Sequence, residues 1–349
     1  MATILFLFNC KPISIMNFSK LIITFLFQFY FTEILAQQVS PTLSVKEMAI
    51  TIDSICEKLQ KNYINPKVAD EMSYILKTNL KNNNYISIIE PSNFAQQLTK
   101  DLQAISKDKH LSVIYNPSVI AREQALTDKE RAKLEIEEKD EILKGLRRDN
   151  FGFKEVKVLE GNIGYLDLRE FADPKYSGET LTAAMNFLGN TNAIILDLRN
   201  NDGGSPAMVQ LIASYFFSTP THLFDFYNRP KKELTQSWTL PYVSGIFKPS
   251  ADLYILTSKK TFSAAESFTY CMKNLKRAAI IGETTAGGAH LTGAVIATNN
   301  FFVRIPQGKP TSPITNTNWE GVGIIPDIQV HSDEALKIAH SKALEKLKK

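Results

Sequence analysis

A serine is followed three residues later by a glutamate in Thr261-Phe262-Ser263-Ala264-Ala265-Glu266, between an expected strand at Leu253–Leu256 and an expected helix at Ser263–Leu275. The positive end of a helix favours an alkoxide and the oxyanion that follows its attack, so a serine placed there can act as a nucleophile. Read alone, Ser-x-x-Glu is first a capping box, with Ser263 as N-cap and Glu266 at the third helical position. A second segment, Asp197-Leu198-Arg199-Asn200-Asn201-Asp202-Gly203-Gly204, also joins a strand to a helix. Its glycines let the backbone turn sharply and present N–H groups to a phosphate or a developing oxyanion. No Gly-Lys-Ser/Thr follows, which excludes a P-loop. By itself a Gly-Gly turn is only a tight connection.

Two further Gly-rich turns carry charge: Gly282-Glu283-Thr284-Thr285-Ala286-Gly287-Gly288-Ala289-His290 and Glu320-Gly321-Val322-Gly323-Ile324-Ile325-Pro326-Asp327. A serine hydroxyl is a poor nucleophile at neutral pH and needs a base. The candidates are His110, where helices give way to a strand, and His290, at the end of the Gly282–His290 turn. Sites often form at domain junctions, which ranks His110 first. His222, His331 and His340 read as surface residues in loops or the tail. Glu283 is expected to fix its own turn by accepting backbone N–H bonds, and Asp197 to form a structural ion pair with Arg199.

The elements that must position these residues follow from periodicity. Val45, Met48, Ile52, Ile55 and Leu59 recur at helical spacing, and Met72, Ile75, Leu76 and Leu80 repeat the pattern. Phe94, Leu98, Leu102 and Ile105 give a third helix, with Ser92 as its expected N-cap. These form a small helical domain over 44–115, ending in a short strand near Leu111–Tyr115. Residues 116–160 read as a charged connector, whose run from Asp128 to Arg148 suits a solvated helix face. From 161 to 331 strands and helices alternate, which argues a layered α/β core domain. Its strands include Ile163–Leu168 and the apolar run Ala193–Leu198, and a β-hairpin is expected around Thr298-Asn299-Asn300. A closing helix occupies 332–349. The aromatic segment Thr219–Ser250 reads as a long loop, and loops of that length often cover a site.

The chain has 349 residues, enough for one large and one small domain, and a net charge of +4. No dense basic stripe with interleaved aromatics is present, so no nucleic-acid partner is expected. Lys20, the apolar stretch from Leu21 and the small residue Ala36 make residues 1–36 a secretory signal peptide, with Met16 a more conventional start than Met1. The apolar run is too short and interrupted for a stable membrane span. A periplasmic or secreted location follows. Cys56 and Cys271 read as buried small hydrophobes, Cys10 falls in the signal, and no disulfide framework is expected. No His/Cys or His/carboxylate grouping with metal-ligand spacing is found along the chain, so neither metal nor cofactor is expected.

Taken in order, Asp-Leu-Arg-x-Asn-x-Gly-Gly, Thr-x-Ser-Ala-Ala-Glu, Gly-Glu-x-Thr-x-Gly and Glu-Gly-x-Gly-x-x-Pro-Asp resemble one family. It is the serine peptidase family of the C-terminal processing proteases, the tricorn core protease and the interphotoreceptor retinoid-binding protein. The resemblance spans about residues 45–331. It implies a crotonase-like (ClpP/crotonase) α/β core with a helical N-terminal domain. It implies Ser263 as nucleophile, and Gly203 or Gly204 with the Ala264 N–H as oxyanion hole. The processing proteases use a Ser–Lys dyad, and their lysine position falls on Gly288. They also carry a PDZ module, for which 116–160 is too short and too charged. The tricorn-like branch uses serine, histidine and a carboxylate, which implies Ser263, His110 as base and Glu320 as its orienter. Tricorn has a serine before its histidine, where this chain has Lys109. His290 remains the rival base. The implied activity is hydrolysis of extended polypeptides by a secreted endopeptidase or carboxy-terminal-type protease, with peptide or unfolded protein as the partner. The retinoid-binding members imply the alternative, a non-catalytic protein for a hydrophobic ligand.

Overall fold

The computed structural model describes residues 41–348, so the signal-like segment 1–36 and Cys10 lie outside it. Three helices come first: α1 (Val45–Asn62), α2 (Pro66–Lys81) and α3 (Pro91–Ser106). A Ser44/Glu47 capping box starts α1, and prolines occupy the first turns of α2 and α3, where a missing N–H costs little. The cap of α3 is Glu90 rather than Ser92. The Glu90 carboxylate accepts the N–H groups of Ser92 and Asn93 at 3.0 and 2.6 Å, and Ser92 falls inside the helix.

Strand β1 (Ser112–Tyr115) leads to α4 (Pro117–Ala125) and the charged, largely exposed α5 (Asp128–Arg148). The expected connector then ends in a strand, β2 (Phe153–Leu159), paired antiparallel to β3 (Ile163–Leu168). Lys154, Glu155 and Lys157 hide this strand in the sequence, because an edge strand exposes part of its length and tolerates charge there. The chain continues through α6 (Pro174–Phe187), β4 (Ala193–Asp197), α7 (Pro206–Ser214), β5 (His222–Asn228), β6 (Glu233–Trp238), β7 (Asp252–Thr257), α8 (Ala264–Asn274), β8 (Ala279–Gly282), β9 (Leu291–Ile296), β10 (Phe301–Thr311), β11 (Ile328–Gln329) and α9 (Ser332–Leu347).

The larger sheet has the order β11-β8-β7-β4-β3-β2, parallel except for β2. Strands β3 and β4 are buried along their whole length, which explains their continuous apolar runs. Leu181 of α6, Met208 of α7 and Phe268 of α8 share a core with Leu166 and Leu196. Ala335, Ala339 and Ala343 of α9 share another with Tyr165, Ile195 and Leu256. These alanines recur every four residues, so one smooth helix face lies close to the strands.

The second sheet runs β1-β10-β5-β6, with β9 also on β10. Phe301, Val303 and Ile305 of β10 share a core with Leu59, Phe94 and Leu98 of the N-terminal helices. Helices and hairpin therefore bury one another, although they lie at opposite ends of the sequence. The segment expected as a loop over 219–250 contains the antiparallel pair β5–β6, and β5 continues the sheet beside β10. The exposure of most of β6 removes the apolar alternation that would have revealed it. His222 is correspondingly not a loop residue. It stacks on Trp238 with 4.6 Å between ring centres and lies 3.1 Å from Asp225. Cys56 and Cys271 are both buried free thiols. Among the described residues no helix is long and apolar enough to cross a membrane.

Candidate active site

The sharp turn from β7 into α8 carries Ser263 at φ 53°, ψ −116°, a conformation that residues with a side chain rarely adopt. Holding it costs of order 1–3 kcal/mol, a kind of strain that clusters at functional sites. Three backbone contacts impose it. The Phe262 N–H donates to Asn201 O at 3.1 Å, the Thr261 N–H to Ser258 O at 3.0 Å, and the Ala286 N–H to Thr261 O at 3.0 Å. Gly203 packs directly against this turn. A Cβ on it would lie 2.8 Å from Ser263 Cβ and 2.9 Å from Ala264 N, so only glycine permits the approach. The Gly203 N–H is already engaged by Asn201 Oδ1 at 2.9 Å. Among the described residues no acceptor engages the N–H groups of Gly204 and Ala264, which makes these two the candidates to meet an oxyanion. Ser263→Gly should relieve the backbone strain that Ser263→Ala keeps. It is expected to unfold about 1 kcal/mol harder than Ser263→Ala in denaturant titration.

The carboxylate that builds the neighbouring turn is Glu266, not Glu283. Glu266 is fully buried and accepts from Thr285 Oγ1 (2.5 Å), Gly287 N (2.6 Å), Gly288 N (2.8 Å) and Ser263 N (3.0 Å). It thus ties the serine turn to the Gly282–His290 turn and has little capacity left for chemistry. Glu283 takes part through its backbone, and its carboxylate is 3.9 Å from Lys259. Asp197 and Arg199 form the expected ion pair, supported by Tyr165.

The histidines arrive by way of the second sheet. β1 and β9 flank β10, both antiparallel to it, β1 starting opposite Arg304 and β9 opposite Gly308. The residues just before them, Asp108–His110 and His290, therefore meet. The His110 ring stacks on Phe262, the residue before Ser263, with 4.6 Å between ring centres. Its Nδ1 is buried without a hydrogen-bond partner, 3.7 Å from Asp108 Oδ1. His290 Nδ1 pairs with Asp108 Oδ2 at 2.6 Å and lies 3.6 Å from Glu320 Oε2. Glu320 Oε2 accepts the N–H groups of Ala289 and His290 at 2.6 and 3.1 Å, and its Oε1 is buried and unpartnered. The Tyr63 hydroxyl reaches Asp108 Oδ2 at 3.4 Å. Ser263 and His110 share this corner but are not hydrogen bonded to each other. Asp108, Tyr63 and Phe262 went unassigned in the sequence. The single clue was Asp108, two residues before a candidate base.

The Gly288 position explains the missing lysine. A Cβ there would lie 2.1 Å from Phe262 Cε2 and 2.8 Å from His110 Cε1. The space for a side chain is filled by the histidine and the ring beneath it. Gly288→Ala is expected to displace His110, with roughly a 100-fold fall in any Ser263-dependent acylation rate. A retained unfolding transition would show that the loss is local.

Burial lowers the His110 pKa to about 4, with His290 and Arg304 acting in the same direction and Asp108 opposing them. The imidazole is neutral at pH 7, the state a general base requires. Burial raises the Glu320 pKa to about 7, aided by Asp108 and opposed by His290. These shifts couple folding to pH with opposite signs. For His110, stability is complete above its ordinary 6.5 and is lost as pH falls toward 4. For Glu320, stability is complete below its ordinary 4.5 and is lost as pH rises toward 7. The stability advantage of the wild type over Glu320→Gln should therefore be larger at pH 4.5 than at pH 7. Urea unfolding at both values measures it, and an advantage growing with pH would contradict this assignment.

Comparison with known proteins adds a family. A sequence profile described as peptidase family S41 matches residues 162–330, and one described as the N-terminal domain of peptidase S41 in eukaryotic IRBP matches residues 39–159. The chain is 28% identical over 167 residues to the chloroplastic carboxyl-terminal-processing peptidase 2 of Arabidopsis thaliana, covering 47% of this chain and 31% of that protein. It spans 31% to 40% of the length of the curated relatives it matches. In fold it is similar to a putative peptidase from Parabacteroides merdae (TM-score 0.57, 18% identity, 85% of this chain and 96% of that one). It is also similar to the tricorn protease (TM-score 0.56, 13% identity, 87% of this chain and 37% of that one).

Proposed function

Because the chain belongs to peptidase family S41, we propose that it is a serine peptidase that hydrolyses extended polypeptides through an acyl-enzyme on Ser263. The observation that carries this is the strained serine turn, with Gly203 against its Cβ and His110 stacked on the adjoining Phe262. The reacting groups divide the work. Ser263 Oγ attacks the scissile carbonyl while neutral His110 takes its proton through Nε2. The N–H groups of Gly204 and Ala264 receive the oxyanion, in a backbone held rigid before the reaction begins. The imidazolium formed on His110 is stabilised by the nearby carboxylates. Glu320 serves as the orienter of the triad, with buried Asp108 supporting it at 3.7 Å from Nδ1. The proton then passes to the leaving amine, and water releases the acyl group by the same route.

Crotonase-like layering of the core is the fold reading that the six-stranded sheet between α6–α8 and α9 supports. Export by the signal-like residues 1–36 belongs to the same reading. A specific observation also favours His290 as the base: its Nδ1 already has a buried carboxylate at 2.6 Å, the arrangement that fixes a catalytic imidazole. Digestion of a reduced, unfolded protein tests the proposal. New termini mapped by mass spectrometry should form with wild type and be absent with Ser263→Ala. No cleavage across varied unfolded substrates would favour the hydrophobic-ligand alternative.

A further inference from the structure

We propose that Asp108, His110 and Glu320 form a binding site for a divalent transition-metal ion of the zinc class. One ligand atom from each residue lies within 4.8 Å of the other two. Two independent features point to a ligand there. His110 Nδ1, on a side chain nine-tenths buried, has no hydrogen-bond partner. Glu320 Oε1 is buried and unpartnered as well. Leaving a buried polar atom unsatisfied costs about 1–3 kcal/mol, and two in one cluster call for a shared explanation.

The chemistry of the group selects the ligand. An imidazole nitrogen and two carboxylates attract a cation and repel an anion. Calcium takes six to eight oxygen ligands, whereas one nitrogen and two oxygens with an open fourth position suit zinc-class ions. The carboxylates are braced from behind. His290 Nδ1 holds Asp108 Oδ2, and the Ala289 and His290 N–H groups hold Glu320 Oε2, which leaves Oε1 as its free arm. Around a zinc-sized ion the ligand atoms must come to roughly 3.3–3.6 Å from one another, given bonds of about 2.0–2.2 Å. Closing from 4.8 Å requires a shift of roughly 1 Å, within reach of the free Glu320 arm and rotation of the His110 ring.

The consequence for activity rests on the reading of His110 as base. An ion on Nδ1 draws electron density from the ring and weakens Nε2 as a proton acceptor, so occupancy would inhibit the peptidase reversibly. The test separates the two readings by measuring binding without catalysis. The metal-free Ser263→Ala protein, carrying no histidine tag, is titrated with cobalt(II) and followed by its visible absorption. Competition with zinc(II) then gives relative affinity. The expected result is one ion per chain, with affinity reduced at least about 10-fold in Glu320→Gln and in His110→Asn. No binding, or binding unchanged in both variants, overturns the metal site even if wild type proves to be a peptidase. Binding lost in both variants supports it, even if wild type never cleaves a substrate and the peptidase reading falls.

Discussion

Ser263→Ala is expected to lower peptide cleavage by roughly 10⁴- to 10⁶-fold, the scale on which removal of an activated serine nucleophile acts. Among the described residues no cysteine is placed to take over. Cys56 and Cys271 are both buried, and burial pushes the Cys271 thiol up to about 12, so it offers no thiolate at neutral pH. The substitution should leave the protein folded, because alanine fits the same turn and the Glu266 bonds to Thr285, Gly287 and Gly288 do not involve the serine hydroxyl. Steady-state cleavage of a fluorogenic peptide, paired with a thermal melt, separates loss of chemistry from loss of fold. Residual cleavage within about 10-fold of wild type would remove Ser263 from the mechanism.

The second large effect belongs to the histidines. His110→Ala is expected to reduce kcat by about 10³- to 10⁴-fold, as loss of a general base does. His290→Ala should cost less, roughly 10- to 100-fold, since His290 would act by holding Asp108 in place. The asymmetry rests on position. His110 contacts Phe262 and fills the space beside Gly288, whereas His290 is turned toward Asp108 and Glu320. The KM for a peptide substrate should change little in either variant. A larger fall in kcat for His290→Ala would transfer the role of base to His290, with Asp108 as its partner.

The elements with strong periodicity were legible in the sequence. Met48, Ile52, Ile55 and Leu59 sit on the buried face of α1, and the run Ala193–Asp197 is the buried strand β4. Edge elements were not. β2 and β6 expose much of their length, so the alternation that marks a strand is diluted by charge in β2 and by polar residues in β6. Local polar chemistry was harder still. Ser92 looks like a helix cap by residue type, but Pro91 already begins the helix, two residues before Asn93, and Glu90 reaches the free N–H groups. Glu283 adjoins Gly282 in the sequence, whereas Glu266 has no glycine near it along the chain, and only the fold brings Glu266 to Gly287 and Gly288.

The site was legible as motifs and illegible as geometry. Ser263, Gly203 and Ala264 were grouped through the family resemblance of their motifs, and the fold sets those motifs on neighbouring crossovers of one parallel sheet. The cluster of Asp108, His110, His290 and Glu320 depends on β1 and β9 pairing with opposite edges of β10. No local spacing encodes that pairing, which is why no metal-like grouping was found along the chain. Asp108 acquires its place from the same pairing, through the His290 ring at 2.6 Å.

Intact-mass measurement after treatment with a serine-reactive fluorophosphonate decides whether Ser263 is the nucleophile. One adduct per chain is expected, mapped to Ser263, absent in Ser263→Ala and formed far more slowly in His110→Ala. Folded wild-type protein that takes up no adduct, or takes it up on another residue, would contradict it.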